Sequence, residues 1–69
     1  MTALNDYRVL VAVNDPDLAL TVRYDMRDVS AAGAIDVANR AARKDYGDGN
    51  WQVERVEVYD GRDWQEVAA

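Results

Sequence analysis

Along the chain, apolar residues alternate with polar ones, then shift to a helical repeat, then alternate again. In YRVLVAV (Tyr7–Val13), Tyr7, Val9, Val11 and Val13 point one way and Arg8, Leu10 and Ala12 the other. A period of two in β-branched and aromatic residues predicts a half-buried strand. NDPD follows, where Pro16 fixes φ and Asn14 and Asp15 bond nearby backbone, as a turn requires. LALTVRYDM (Leu18–Met26) alternates again, with Leu18, Leu20, Val22, Tyr24 and Met26 opposed to Ala19, Thr21, Arg23 and Asp25. The two stretches predict an antiparallel hairpin.

From Ser30 to Gly47 the repeat lengthens to that of a helix. Ser30 is a good N-cap, Val29 is placed to staple onto Ala34, and Gly47 stands where a C-cap glycine belongs. Ala31, Ala34, Ile35, Val37, Ala38, Ala41 and Ala42 fall within about 160° of the helical wheel, and small residues let a helix approach a sheet closely. Asp36 can meet Arg40 one turn on, and Arg43 and Lys44 suit the negative end of the helix dipole. Gly33 is expected to weaken the helix, by roughly 1 kcal/mol against alanine.

The third stretch, NWQVERVEVYD (Asn50–Asp60), changes phase. Trp51 and Val53 share one parity, Val56 and Val58 the other. One extra residue near Glu54–Arg55, a β-bulge, puts all four on one side. Asp60-Gly61 then reverses the chain into a short fourth strand, RDWQEV. A type I turn with Gly61 left-handed sets Trp64 opposite Val56 on the buried face; a two-residue type I′ turn sets it opposite Glu57 on the exposed one. The first is preferred, because a buried indole adds apolar area that a small core needs. The expected fold is α+β: ββαββ, an antiparallel sheet of about four strands with one helix packed on one face.

Sixty-nine residues allow a single domain, 1–69. Chains below roughly 70–80 residues lean on disulfides, metals, partners or very regular packing. The chain has no Cys and no His, which removes a disulfide framework, zinc ligation and cysteine or histidine catalysis together. Absence of Cys fits a reducing compartment, and a cytoplasmic location is expected. No apolar run approaches a membrane span and no signal-peptide pattern opens the chain, so neither a span nor a leader is expected. Thirteen acids against eight bases give a net charge of −5, a field that repels phosphate and favours basic partners.

Few residues carry candidate chemistry. DYGDGNW (Asp45–Trp51) starts like an EF-hand loop, but the position that needs a bidentate Glu is Val56, so no metal site is expected. Acid pairs such as Asp15/Asp17, Asp60/Asp63 and Glu54/Glu57 would need a cleft that separates their pKa values, and one helix on a short sheet offers none. Ser30 is the single serine and is taken up in capping. The expectation is a non-enzyme without cofactor. Arg40, Arg43 and Lys44 form a basic cluster that would be a phosphate-contacting stripe in a nucleic-acid-binding or regulatory protein. The sheet face away from the helix would carry Arg8, Leu10, Ala12, Ala19, Thr21, Arg23, Asp25, Arg55, Glu57 and Tyr59. An apolar patch rimmed by charge marks docking surfaces, and an exposed edge strand can recruit a partner by pairing.

Two strands, an alanine-rich helix opened by DVSAAGAIDVANRAA, and NWQVERVEVYDGRDWQEV together resemble the small ββαββ proteins of phages and mobile elements, among them the anti-CRISPR proteins that bind type I surveillance complexes. The resemblance implies a non-enzymatic inhibitor that keeps target DNA from a basic surface of such a complex, working in the host cytoplasm. The expected partner-binding residues are Glu54, Glu57, Tyr59, Asp60, Asp63, Trp64 and Glu66, the acids for attraction, Tyr59 as an anchor, and Trp64 as a second anchor if it stands on the exposed face. No direct nucleic-acid or membrane contact is expected, and the chain is expected to be a monomer or weak homodimer. The alternatives are a nucleic-acid binder using Arg40, Arg43 and Lys44, and a phage accessory or antitoxin-like oligomer.

Overall fold

Five elements follow one another: β1 (Asn5–Asp15), β2 (Leu18–Asp28), α1 (Ala31–Tyr46), β3 (Trp51–Tyr59) and β4 (Trp64–Glu66). The computed structural model describes residues 3–67, with Asp15 and Leu18 described by their backbone alone. The sheet is antiparallel, in the order β2-β1-β3-β4, and α1 packs on β1, β2 and β3. The fold is ββαββ, as the pattern predicts.

The first hairpin is regular throughout. β1 and β2 have 11 residues each and pair without interruption from Asn5↔Asp28 to Asp15↔Leu18, joined by Pro16 and Asp17. On the covered face, Val9, Val11 and Val13 are 0–1% exposed and are the largest fully buried side chains. Ala34, Ala38 and Ala42 of α1 are buried one turn apart. A valine against an alanine brings helix and sheet together without large side chains between them. Full burial of each valine is worth about 1.5–3 kcal/mol, so the core draws its strength from density, with Tyr7 and Val56 closing it.

The phase change in the third stretch is a bulge. β3 pairs with β1 as Leu10↔Arg55 and then Val11↔Val53, which leaves Glu54 as the extra residue. Trp51, Val53, Val56 and Val58 all pack against the core. Both helix caps form: Ser30 Oγ accepts from Gly33 N–H (3.1 Å), and Gly47, at φ 76°, donates its N–H to Arg43 C=O (2.9 Å). The Trp51 indole N–H donates to Gly47 C=O (2.6 Å), tying the helix exit to β3.

Three expectations are corrected. Val37 is 40% exposed, so the apolar arc of the helix is narrower than its composition suggests, centred on Ala34, Ala38 and Ala42, and Val29, placed to staple onto Ala34, is itself 50% exposed. Gly33 lies in the first helical turn, and its missing Cβ makes room for the Asp28 carboxylate: a Cβ there would stand 2.1 Å from Asp28 Oδ1. Trp64 is not opposite Val56. It pairs with Tyr59, while Val67 N–H donates to Val56 C=O (2.8 Å) and Val67 packs on the core in its place.

Candidate functional site

The second hairpin decides which side chains stand on the sheet face that α1 leaves uncovered. Its tip is Gly61-Arg62, not Asp60-Gly61. Gly61 has φ 98°, a backbone region that glycine enters cheaply, and Asp60 N–H donates to Asp63 C=O (3.1 Å). The Asp60 carboxylate accepts from Arg62 N–H and Asp63 N–H (2.8 Å each) and from Gln65 Nε2 (3.2 Å). Those bonds, the two backbone ones foremost, hold its pKa below the ordinary range. Asp60 is a turn-forming residue, and the register it sets makes the pairs Tyr59↔Trp64 and Glu57↔Glu66. Directly opposed residues share a face, so Trp64, Tyr59, Glu57 and Glu66 all lie on the uncovered side, together with Arg8, which pairs with Glu57 from β1.

These side chains form one cluster. The Arg8 guanidinium carbon stands 4.3 Å from the Trp64 ring centroid, a cation–π stack, and the Trp64 and Tyr59 rings are 5.4 Å apart and tilted by 49°. Beneath this cover, Glu57 is only 6% exposed. Its carboxylate accepts from Arg8 Nε (2.5 Å) and pairs with Arg55 Nη2 (3.0 Å), and Arg55 reaches towards Glu66 at 3.9 Å. The Arg8 hydrogen bond, with Arg55 beside it, pulls the Glu57 pKa down against the opposing effect of desolvation. A buried carboxylate with two guanidiniums is a structural anchor for the aromatic cluster. Glu57, expected among the partner contacts, stands on the uncovered face but is 6% exposed in this chain.

Next to the cluster lies an open groove of about 460 Å³ on the same part of the sheet, bordered by Asp6, Tyr7, Arg8, Arg23, Asp25, Met26, Tyr59 and Trp64. Its charged residues are largely matched: Arg23 pairs with Asp25 within the groove (3.3 Å), and Asp6 pairs with Arg27 just outside it (2.9 Å). Tyr59 remains 39% exposed and Trp64 half-buried, so the groove offers these two aromatic walls with Arg8 and Arg23 at its edges.

The other expected contacts divide. Glu54 is exposed on the bulge, Asp63 is exposed at the hairpin tip, and Glu66 is exposed beside Arg55. The helix cations lie away from this site. Arg40 pairs with Asp36 and Arg43 with Asp48 (3.0 Å), while Lys44 makes no ion pair among the described residues. Two of the three bases in the proposed phosphate stripe are therefore already neutralised by acids of the same chain. No helix of the described residues is long and apolar enough to cross a membrane.

Sequence reasoning reached Tyr59 and Trp64 but missed Arg8 and Arg55 as their supports. The available signal was the Arg8–Glu57 pairing, which follows once β1 and β3 are placed side by side. No family model, curated protein or solved structure matches this chain.

Proposed function

We propose that the chain is a non-enzymatic protein-binding module that docks through the uncovered sheet face at the second hairpin. The observation that carries this reading is the Arg8–Trp64–Tyr59 cluster walling the open groove. Arginine, tryptophan and tyrosine dominate interface energetics: the rings cover a large area at small loss of freedom, and the guanidinium adds directional donors. Here the stack over Glu57 preorganises them. Glu54 and Asp63, acids that make no ion pair among the described residues, stand at the edge of the same hairpin, on a chain with net charge −5. The favoured partner is a basic protein surface, and complementary charge raises the association rate and makes binding salt-sensitive. In the form the resemblance implies, that surface belongs to a type I CRISPR complex, and occupying it keeps target DNA away.

The test is a DNA-binding competition with a purified type I surveillance complex, using the wild-type chain, Trp64→Ala and Asp63→Lys. Wild type should displace DNA at low salt and less well at high salt. Trp64→Ala should lose most of the effect through faster dissociation, and Asp63→Lys should slow association. Displacement indifferent to both substitutions would sink the proposed surface, and no displacement at all would sink this partner.

A further inference from the structure

β2 is the outer strand of the sheet, and among the described residues nothing pairs with its far side. Edge strands are commonly blunted by proline, a bulge or short length. β2 has none of these: its 11 residues pair with β1 in unbroken register. The direction of its backbone groups follows from one contact. Asn14 N–H donates to Asn50 C=O (2.7 Å), so Asn14 turns its backbone towards β3, and its β2 neighbour Ala19 turns outward. Alternation along the strand then points the N–H and C=O groups of Thr21, Arg23, Asp25 and Arg27 away from the molecule.

The outward residues carry opposite charges in sequence, and this pattern is self-complementary under a two-fold axis. With the axis at Tyr24, an antiparallel second β2 sets Arg23 opposite Asp25 of the other copy and Asp25 opposite its Arg23. The same register places Thr21 against Arg27, and on the helix side half-buried Val22 against Met26. Within each chain Arg23 and Asp25 already lie 3.3 Å apart, so the joined edges would form an alternating quartet. Moving the axis to Asp25 would oppose Asp25 to itself and Arg23 to Arg27. Moving it to Met26 keeps unlike charges together but pairs only Tyr24–Asp28. Moving it to Arg23 opposes Arg23 to itself, and moving it to Val22 sets Arg23 against Thr21 and Asp25 against Ala19, with no unlike pair. Of these registers, the axis at Tyr24 is the one that joins two Arg–Asp pairs while residues 20–28 stay paired.

We infer that β2 is a homodimerisation edge, joining two copies into one continuous antiparallel sheet with the two-fold axis at Tyr24.

Sedimentation equilibrium from micromolar to millimolar protein tests this, with circular dichroism to verify folding. Wild type should show a concentration-dependent dimer. Arg23→Glu alone opposes acid to acid and Asp25→Arg alone opposes base to base, so each should weaken self-association by roughly tenfold or more. Mixed in equal amounts, the two variants restore both unlike pairs and should form a heterodimer tighter than either homodimer. A wild-type monomer at every concentration, or a mixture no tighter than its components, overturns the proposal. Should either swap fail to fold, cysteine placement in this cysteine-free chain decides instead. Tyr24→Cys meets its own copy at the axis, where facing Cα atoms of a non-hydrogen-bonded pair are close enough for a disulfide. It should oxidise to a covalent dimer while Arg23→Cys does not; dimers from both, or from neither, overturn the register.

Discussion

Substituting Gly33 by alanine would ordinarily strengthen a helix, and here the structure expects the reverse. Alanine gains up to about 1 kcal/mol over glycine in a helix, less in the first turn. The new methyl carbon would sit 2.1 Å from Asp28 Oδ1, 2.7 Å from its Cγ and 2.9 Å from Oδ2, so the carboxylate has to move by more than an ångström. Oδ1 is the atom that accepts from Val29 N–H (2.8 Å) and Ser30 N–H (3.3 Å). Losing one or both of these solvent-accessible bonds costs about 1–2 kcal/mol, and a carboxylate displaced from the helix N-terminus forfeits roughly 0.3–1 kcal/mol more. Gly33→Ala should therefore destabilise by about 1 kcal/mol net, a fall in Tm of about 4–8 °C for a domain of this size. With Asp28→Ala already in place the obstacle is gone, and the same substitution should stabilise by about 0.5–1 kcal/mol. Urea unfolding of the four proteins in the cycle measures the coupling, expected near 2 kcal/mol. If Gly33→Ala stabilises by the same amount in both backgrounds, the close approach has no energetic meaning and the reasoning fails.

The other predictions concern the site and its ionisation. Trp64→Ala removes the ring pair with Tyr59 and the stack with Arg8, which should cost about 1–2 kcal/mol in urea unfolding while far-UV circular dichroism stays unchanged; collapse of the fold would make Trp64 a core residue. Glu57 binds its proton less readily folded than unfolded, so its contribution is complete above the ordinary Glu pKa of 4.5 and fades as pH falls below it. Glu57→Gln should flatten the acid limb of stability against pH, and an unchanged limb would place the acid sensitivity elsewhere. Tyr24 donates its hydroxyl to Asp45 Oδ2 (2.8 Å), and burial together with that bond pushes its pKa from 10.0 up to about 12. Here the folded state holds the proton more tightly, so the contribution is whole below pH 10.0 and is lost as pH rises towards about 12. Ultraviolet titration should show a late ionisation that Tyr24→Phe removes; its persistence in that variant would refute the assignment.

Most of the fold is legible in the residues because its rules are local. Alternation marks β1, β2 and β3, Ser30 and Gly47 bound the helix, and the parity break at Glu54–Arg55 marks the bulge within a residue. The second hairpin is misjudged because its register depends on the Asp60 carboxylate seizing the Arg62 and Asp63 amides, against which the preference of Asp-Gly for the turn centre gives way. The burial of Glu57 is invisible for a different reason. Its cover comes from Arg8, far away in sequence, and from Trp64, whose face hangs on that same misjudged register. Val37 belongs to the helical arc by hydropathy but stays 40% exposed, outside the core cluster.

The supernumerary residue in β3 has a bearing on how this chain can vary. Glu54 works there through being one peptide unit long: it advances the strand by half a pleat, so that Trp51 and Val53 regain the side on which Val56 and Val58 lie. Its carboxylate is dispensable to that task, and many side chains would serve. Excising the position altogether would turn Trp51 and Val53 outward and uncouple the indole from Gly47. The same locus therefore tolerates nearly any spelling and no omission, and a length change of one unit there reaches further into the molecule than any exchange of its charge.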